Sequence, residues 1–285
     1  MRRVRCAVGV SLGAGTLIWL SRSAPDSSVL ASASVVHVLV HIPKTGGQSL
    51  RKLLSTDACS GAAHEGSHAH ALVESRVLAA GKRPLVVLRE PLERLHSAYE
   101  YWRTGSEMPS MRKLRSPQAT LMLRKLSGIS FAQFLEGFAN KTSPYAAAAE
   151  TIIHLPRHIS GWAWEDHFAP QRQWMDVESH NTTIVCYDSK LLRERVRCAL
   201  DALHLRCNTS ALGHTNRLVH GQTSPSITSL QTSLRAMVRA RLRADYSLYE
   251  RHCARCGAHC RCCHRIAGGT HSVSDCGHDT SDQRE

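Results

Sequence analysis

Apolar runs that predict β-strands alternate with apolar stripes at helical spacing along much of the chain. The first run covers residues 35–42, the second residues 82–89, and a third lies at 182–187. After the first two runs, hydrophobic positions recur three or four residues apart, which is typical of an amphipathic helix. This alternation predicts an α/β fold in which a central parallel sheet is flanked by helices. Ligands of such sheets bind at the carboxyl ends of the strands.

Helices are predicted where an apolar stripe begins next to a start signal. Pro91 opens the helix after the second strand, because proline is tolerated at the first helical position. A capping box begins a helix at 130–138, and a further helix is expected at 191–203. Residues 227–251 predict one long amphipathic helix. These helices would cover the faces of the sheet.

The loop between the first strand and its helix, P-K-T-G-G-Q-S at 43–49, has the composition of an anion-binding loop. Glycines let backbone amides converge on an anion, and the helix N-terminus adds the positive end of its dipole. Lys44 supplies a full positive charge. The order differs from the nucleotide-triphosphate P-loop, in which the lysine follows the glycines. An ordinary glycine turn is the alternative interpretation.

A second basic motif, L-R-E-P-L-E-R-L-H-S-A-Y-E-Y, begins at the end of the second strand and covers residues 88–101. Arg89 stands at the strand end, and Ser97 lies off the apolar stripe of the following helix. A guanidinium and a hydroxyl suit a phosphate, the first through charge and paired hydrogen bonds. A solvated arginine and an exposed serine are the alternative.

In this order the two motifs resemble the nucleotide-binding segments of the Golgi carbohydrate sulfotransferases, particularly the group with the heparan sulfate 2-O- and 6-O-sulfotransferases. The resemblance implies a P-loop-like sulfotransferase fold that binds 3′-phosphoadenosine 5′-phosphosulfate (PAPS) as co-substrate, with no metal required. It extends over about residues 35–251, and the family often has a small hydroxyl residue at position 48. The residues implied to bind the donor are Lys44, Thr45, Gly46, Gly47, Gln48, Ser49, Arg89 and Ser97. Lys44 is also implied in catalysis.

Three histidines, His64, His68 and His70, lie between the two motifs. An acceptor hydroxyl needs a base to take its proton, and histidine suits that task near neutral pH. The His-x-His pair resembles the catalytic segment of the uronosyl 2-O-sulfotransferases, which implies His70 as the base and His68 as the second choice. Two alternatives stay open. The cluster is a consequence of composition alone, since the chain has 18 histidines, or it binds a metal together with Glu65 or Cys59.

The charge of the chain indicates an anionic partner. Its 285 residues carry a formal net charge of +13. Aromatic residues make up only 5% of the chain and no RNA-binding signature is present, which argues against nucleic acid. An anionic or neutral glycan acceptor and a triply charged sulfate donor fit this composition better.

Residues 1–34 are predicted to be an N-terminal signal anchor and stem. Three arginines at positions 2, 3 and 5 precede an uncharged run at 6–20. Basic residues on the N-terminal side predict a single-pass type II protein with its catalytic part in the lumen, and the resemblance implies the Golgi membrane. Cleavage near 31–33 followed by secretion is the alternative.

Asparagines and cysteines also favour the secretory route. Three of the four asparagines, Asn140, Asn181 and Asn208, lie in glycosylation sequons. Of the eleven cysteines one lies in the predicted anchor, which leaves an even number suited to disulfides in an oxidising lumen. Six of them crowd residues 253–285, where zinc binding or an irregular tail are the alternatives to disulfides.

The resemblance therefore implies a PAPS-dependent carbohydrate O-sulfotransferase, with its domain at 35–252 and a Cys/His-rich tail at 253–285. A catalytically inactive sulfonucleotide- or glycan-binding protein of the same fold is the first alternative. A P-loop kinase is a second, against which the order of the loop argues. A zinc-dependent interaction protein built around the tail is the third.

Overall fold

A computed structural model of the chain provides the fold. It describes residues 37–54, 59–60, 62–63, 81–105, 128–159, 167–174, 181–212, 227–254 and 264–266. The predicted anchor and the three histidines at 64, 68 and 70 lie outside the described residues. None of the described helices combines the length and apolar character needed to cross a membrane.

The main sheet has five strands. In spatial order they are β3 (Ala62–Ala63), β1 (His37–Val40), β4 (Arg83–Leu88), β5 (Thr183–Cys186) and β7 (His264–Ile266). The first four are mutually parallel and β7 runs antiparallel to β5. The predicted α/β class, with a parallel sheet flanked by helices, is confirmed at this level.

The strands are apolar without a break because both faces of the sheet are covered. Every residue of β1 and β5 is buried, as is β4 after Arg83. Alternate residues then face two separate cores. Val38, Val86 and Ile184 pack with Trp174 on one face, whereas the neighbouring positions, such as Leu39, pack with the helices on the other.

The described part of the chain contains seven helices. They are α1 (Gly47–Leu54), α2 (Pro91–Gly105), α3 (Phe131–Ala139), α4 (Ala146–Ile159), α5 (Leu192–Ala202), α6 (Thr232–Arg241) and α7 (Arg243–Cys253). Helix α2 begins at Pro91, and the predicted capping box of α3 forms between Ser130 and Gln133. Helices α1 and α5 pack on the face that contains Leu39.

The single helix predicted at 227–251 is wrong, because the chain bends there. A short 3-10 turn at Ile227–Ser229 precedes α6, and Leu242 separates α6 from α7. After the break, α7 contacts two cores. Its Tyr246 packs with Val238 and Leu242 in a third core, formed with α2 and α3, whereas Leu248 packs against the sheet.

Two disulfides between described residues link distant parts of the chain, so the prediction of disulfides is confirmed for these pairs. Cys59 in β2 (Cys59–Ser60) bonds to Cys207 in β6 (Arg206–Cys207), where the two strands pair antiparallel. Cys186 at the end of β5 bonds to Cys253 at the end of α7. Cys253 and β7, both assigned to the tail from sequence, are thus joined to β5.

The disulfide between Cys186 and Cys253 closes a loop of 67 residues, so its loss should destabilise the fold. Replacing both cysteines by alanine should lower the free energy of unfolding by about 2–4 kcal/mol. Urea titration measures this change, and mass spectrometry of unreduced peptides identifies the pairing. Peptides that link Cys186 to a different cysteine would contradict the pairing.

Candidate functional site

The two basic motifs meet at one edge of the sheet. Strands β1 and β4 are parallel neighbours, and Val40 lies opposite Val86. The loops that leave them therefore start side by side, as the carboxyl ends of parallel strands do. The guanidinium Nη1 of Arg89 donates a hydrogen bond to the carbonyl oxygen of Lys44 at 3.2 Å. The structure thus brings together two predicted site residues that are 45 positions apart.

The loop after β1 holds Lys44 in an unusual backbone conformation. Its φ is 66°, in the left-handed region that side chains other than glycine rarely adopt. The next residue fixes the turn, because Thr45 is fully buried and its Oγ1 donates to the carbonyl of Ile42 at 2.8 Å. Conformations of this kind cost free energy and persist only where the surroundings enforce them, which is common at binding sites.

Both glycines of the loop are required by aromatic neighbours. Gly46 has φ +88°, and a Cβ there would lie 2.8 Å from two ring carbons of Tyr187. A Cβ on Gly47 would overlap the ring of His41. Helix α1 begins at Gly47, and the amide of Ser49 donates to the carbonyl of Gly46 at 3.1 Å. The Ser49 amide is therefore used within the first turn, and the amides before it form the open end of the helix.

Arg89 is fixed through its backbone and its side chain. Its amide donates to Oε1 of Gln171 at 3.0 Å, and its carbonyl accepts from Nε2 of Gln171 at 2.8 Å. The guanidinium lies over the ring of Tyr187, 4.5 Å from the centroid. Its Nε is 3.5 Å from Oε2 of Glu93, a side chain that is 49% exposed. One half-exposed carboxylate thus balances part of the charge of Arg89.

A buried arginine joins this loop to a third segment. Arg94 is only 3% exposed, and its Nη1 donates to the carbonyls of Pro43 at 3.2 Å and His167 at 3.0 Å. Its Nη2 donates to the carbonyl of Ala169. A buried guanidinium needs such acceptors, because an unpaired charge is costly in the interior. Arg94 therefore fixes the lysine loop and residues 167–169 to each other.

The ammonium of Lys44 is half-buried among groups that do not neutralise it. It lies over the ring of Tyr101, 4.1 Å from the centroid, and forms no ion pair with any described carboxylate. Burial, and secondly the positive charge of Arg89, lower the pKa of Lys44 to about 8. Both causes disfavour the charged form. An anion bound at this ammonium would reverse the shift.

Two further side chains near this edge can be placed, those of His167 and of the predicted donor-binding residue Ser97. His167 packs on Tyr101 with ring centroids 4.9 Å apart. Ser97 lies half-buried on α2, and its hydroxyl makes no hydrogen bond to another described residue. A contact between Ser97 and Arg89 is therefore not part of the described structure. Within the same residues, no group of three or more histidine, cysteine or acidic side chains is arranged to hold a metal ion.

From the sequence, no individual role was predicted for four residues that build the site, namely Arg94, Tyr101, Gln171 and Tyr187, although the first two lie within the motif at 88–101. Of these four, Arg94 is the residue that the sequence could best have indicated as part of the site. It lies beside the apolar stripe of α2, four positions before Ala98. Gln171 and Tyr187 act through contacts with residues far away along the chain. No local pattern marks such contacts.

Comparisons of this chain with protein-family models, with curated proteins and with solved structures find no match. The resemblance to sulfotransferases therefore depends on the two sequence motifs alone.

Gly46→Ala tests whether the ring of Tyr187 shapes the lysine loop. Gly81 provides a matched control, because it also has a positive φ, 64°, but a Cβ there would meet nothing within 4 Å. The strain of a left-handed alanine should cost about 1 kcal/mol at either position. The overlap with Tyr187 should add about 1–3 kcal/mol at Gly46 alone. Urea unfolding measures both variants, and equal losses would contradict the role of the ring.

Proposed function

We propose that this protein is a sulfotransferase that moves a sulfuryl group from PAPS to a hydroxyl of a carbohydrate acceptor. The observation that supports it most is the juxtaposition of Lys44 and Arg89 at the ends of adjacent parallel strands, with no carboxylate paired to Lys44 among the described residues. Two cations held close together and partly desolvated favour a ligand with several negative charges. PAPS carries such charges at both ends of its adenosine.

The two cations would bind different groups of the donor. Lys44 and the first amides of α1 would hold the 5′-phosphosulfate, because a helix N-terminus and a lysine both favour an oxyanion. Arg89, with Ser97, would bind the 3′-phosphate. This assignment corresponds to a P-loop-like sulfotransferase fold, and the strand–loop–helix order of β1, the lysine loop and α1 supports it.

The reaction breaks the bond between sulfur and the bridging phosphate oxygen and forms a bond between sulfur and the acceptor oxygen. Negative charge grows on the bridging oxygen, where Lys44 and the loop amides would stabilise it without a metal. The acceptor hydroxyl gives its proton to a base. His70, or otherwise His68, is proposed for that role, and both lie outside the described residues.

We place the enzyme in the Golgi lumen, anchored through its N-terminus, with a glycan as acceptor. Two disulfides suit an oxidising compartment. The sequon asparagines at 181 and 208 are exposed, which suits glycosylation. Secretion after cleavage of the N-terminal segment remains the alternative location.

The pKa of Lys44 makes donor binding depend on pH. Since the free protein has a pKa of about 8 at Lys44, its ammonium is charged below that pH and loses its proton above it. Above the second pKa of the ligand's phosphates, about 6, the affinity for adenosine 3′,5′-bisphosphate should stay nearly constant up to about pH 8 and then fall by up to about tenfold per unit. Calorimetry across this range measures the profile.

Lys44→Arg is the control for this profile, because a guanidinium keeps its proton throughout. The inflection near pH 8 should disappear in this variant, whatever its affinity at neutral pH. A wild-type profile that stays flat through pH 8, or an inflection that persists in the variant, would show that Lys44 does not bind the anion.

Loss of either cation should impair transfer, in different ways. Lys44→Ala should lower kcat by about a hundredfold or more, because it removes stabilisation of the developing charge. Arg89→Ala should mainly raise KM for PAPS. Lys190→Ala, at an exposed position, is the control and should leave both constants unchanged. Radiolabelled donor, incubated with a panel of desulfated glycosaminoglycans and other glycans, measures transfer. Full activity in either of the first two variants would refute the proposal.

A further inference from the structure

The backbone of Arg89 is held by one side chain from a distant segment. Gln171, 82 positions further along the chain, accepts from the amide of Arg89 at 3.0 Å and donates to its carbonyl at 2.8 Å. The side-chain oxygen and nitrogen of Gln171 thus bind the backbone N–H and C=O of Arg89. Gln171 is 1% exposed, so water does not compete with these bonds. The arrangement resembles one rung of a β-ladder, supplied by a side chain.

Gln171 is itself fixed by an acidic residue of α7. The backbone amide of Gln171 donates to Oδ2 of Asp245 at 2.8 Å, and that of Arg172 donates to Oδ1 at 3.3 Å. Asp245 is 2% exposed. Residues Gln171–Gln173 form a 3-10 helix, and the carboxylate therefore binds the first amides of that helix. A carboxylate is well placed there, because helix starts carry unpaired N–H groups.

Helix α7 also contacts the turn that follows β4, through Tyr246 and Glu90. The hydroxyl of Tyr246 donates to Oε1 of Glu90 at 2.6 Å, and Oε2 of Glu90 accepts from the amide of Glu93 at 2.6 Å. Burial raises the pKa of Tyr246 and, secondly, so does this hydrogen bond, so the phenol stays protonated and remains a donor. Residues 89 and 90, which follow β4 directly, are thus both held from α7.

We propose that Gln171, held by Asp245, positions Arg89 and thereby sets selectivity for a nucleotide with a 3′-phosphate. This inference rests on the proposed function, in which Arg89 is the group that binds the 3′-phosphate. Gln171 and Asp245 are positioning residues, because they reach the ligand only through the backbone of Arg89.

The position of the guanidinium depends on this backbone for a geometric reason. Arg89 is the first residue after β4, so the sheet no longer fixes its peptide groups on both sides. Its side chain must still lie over Tyr187 and reach the carbonyl of Lys44. Rotation of the peptide would move the guanidinium away from both partners. Paired hydrogen bonds from a planar guanidinium tolerate such movement poorly.

The test compares two ligands that differ only in the 3′-phosphate, adenosine 3′,5′-bisphosphate and adenosine 5′-monophosphate. Gln171→Met keeps the length of the side chain and removes both hydrogen bonds. The affinity for the bisphosphate should fall by about tenfold, while that for the monophosphate changes by less than about twofold. The ratio of the two affinities is the readout, because a general loss of stability lowers both affinities together.

Two controls accompany this variant. Gln173→Met makes the same substitution at an exposed position of the same 3-10 helix, and it should leave the ratio unchanged. In an Arg89→Ala background, Gln171→Met should have no further effect on the ratio, because the guanidinium that Gln171 positions is absent. Calorimetry measures the affinities, and urea unfolding verifies that each variant is folded.

Gln171→Glu keeps the inference testable if the methionine variant fails to fold. An ionised carboxylate can accept from the amide of Arg89 but repels its carbonyl oxygen, so the ratio should fall in this variant as well. A folded variant at position 171 with the wild-type ratio would overturn the positioning role alone. If the wild-type protein does not prefer the bisphosphate at all, the proposed function and this inference both fail.

Discussion

Two like charges, those of Lys44 and Arg89, are held together at one edge of the sheet, and the rest of the site depends on how the fold enforces this. Their repulsion and partial burial oppose the arrangement, as the lowered pKa of Lys44 indicates. Backbone hydrogen bonds and aromatic rings maintain it. Holding such a pair together is unfavourable in free energy, and the binding of an anion offsets this cost. This is the physical link between the structure and its proposed ligand.

The contacts that hold the cations come from segments distant in the chain, and they converge on the same two loops. Arg94 bonds the lysine loop to residues 167–169, and Gln171 bonds the end of β4. The disulfide from Cys186 ties the end of β5 to α7, and the next residue, Tyr187, packs on the lysine loop and on Arg89. The elements that support the lysine loop thus also support the loop after β4. The geometry of the site therefore depends on the tertiary structure as a whole.

Local patterns were sufficient to predict much of this architecture. Continuous apolar runs predicted three of the parallel strands, and parallel pairing then placed Lys44 near Arg89. The break at Leu242 was missed, because the amphipathic pattern does not show that Leu248 packs in a different core from Val238 and Tyr246. Gln171 was missed as well, since its partners are 82 and 74 positions away and a buried glutamine has no sequence signature.

In the proposed enzyme, the edge formed by the loops after β1 and β4 binds the two phosphates of one nucleotide. A crystal structure of the protein with adenosine 3′,5′-bisphosphate would locate both phosphates. We expect the 5′-phosphate at the ammonium of Lys44 and the start of α1, and the 3′-phosphate at the guanidinium of Arg89. A nucleotide bound elsewhere, or bound here with neither phosphate touching these two cations, would contradict it.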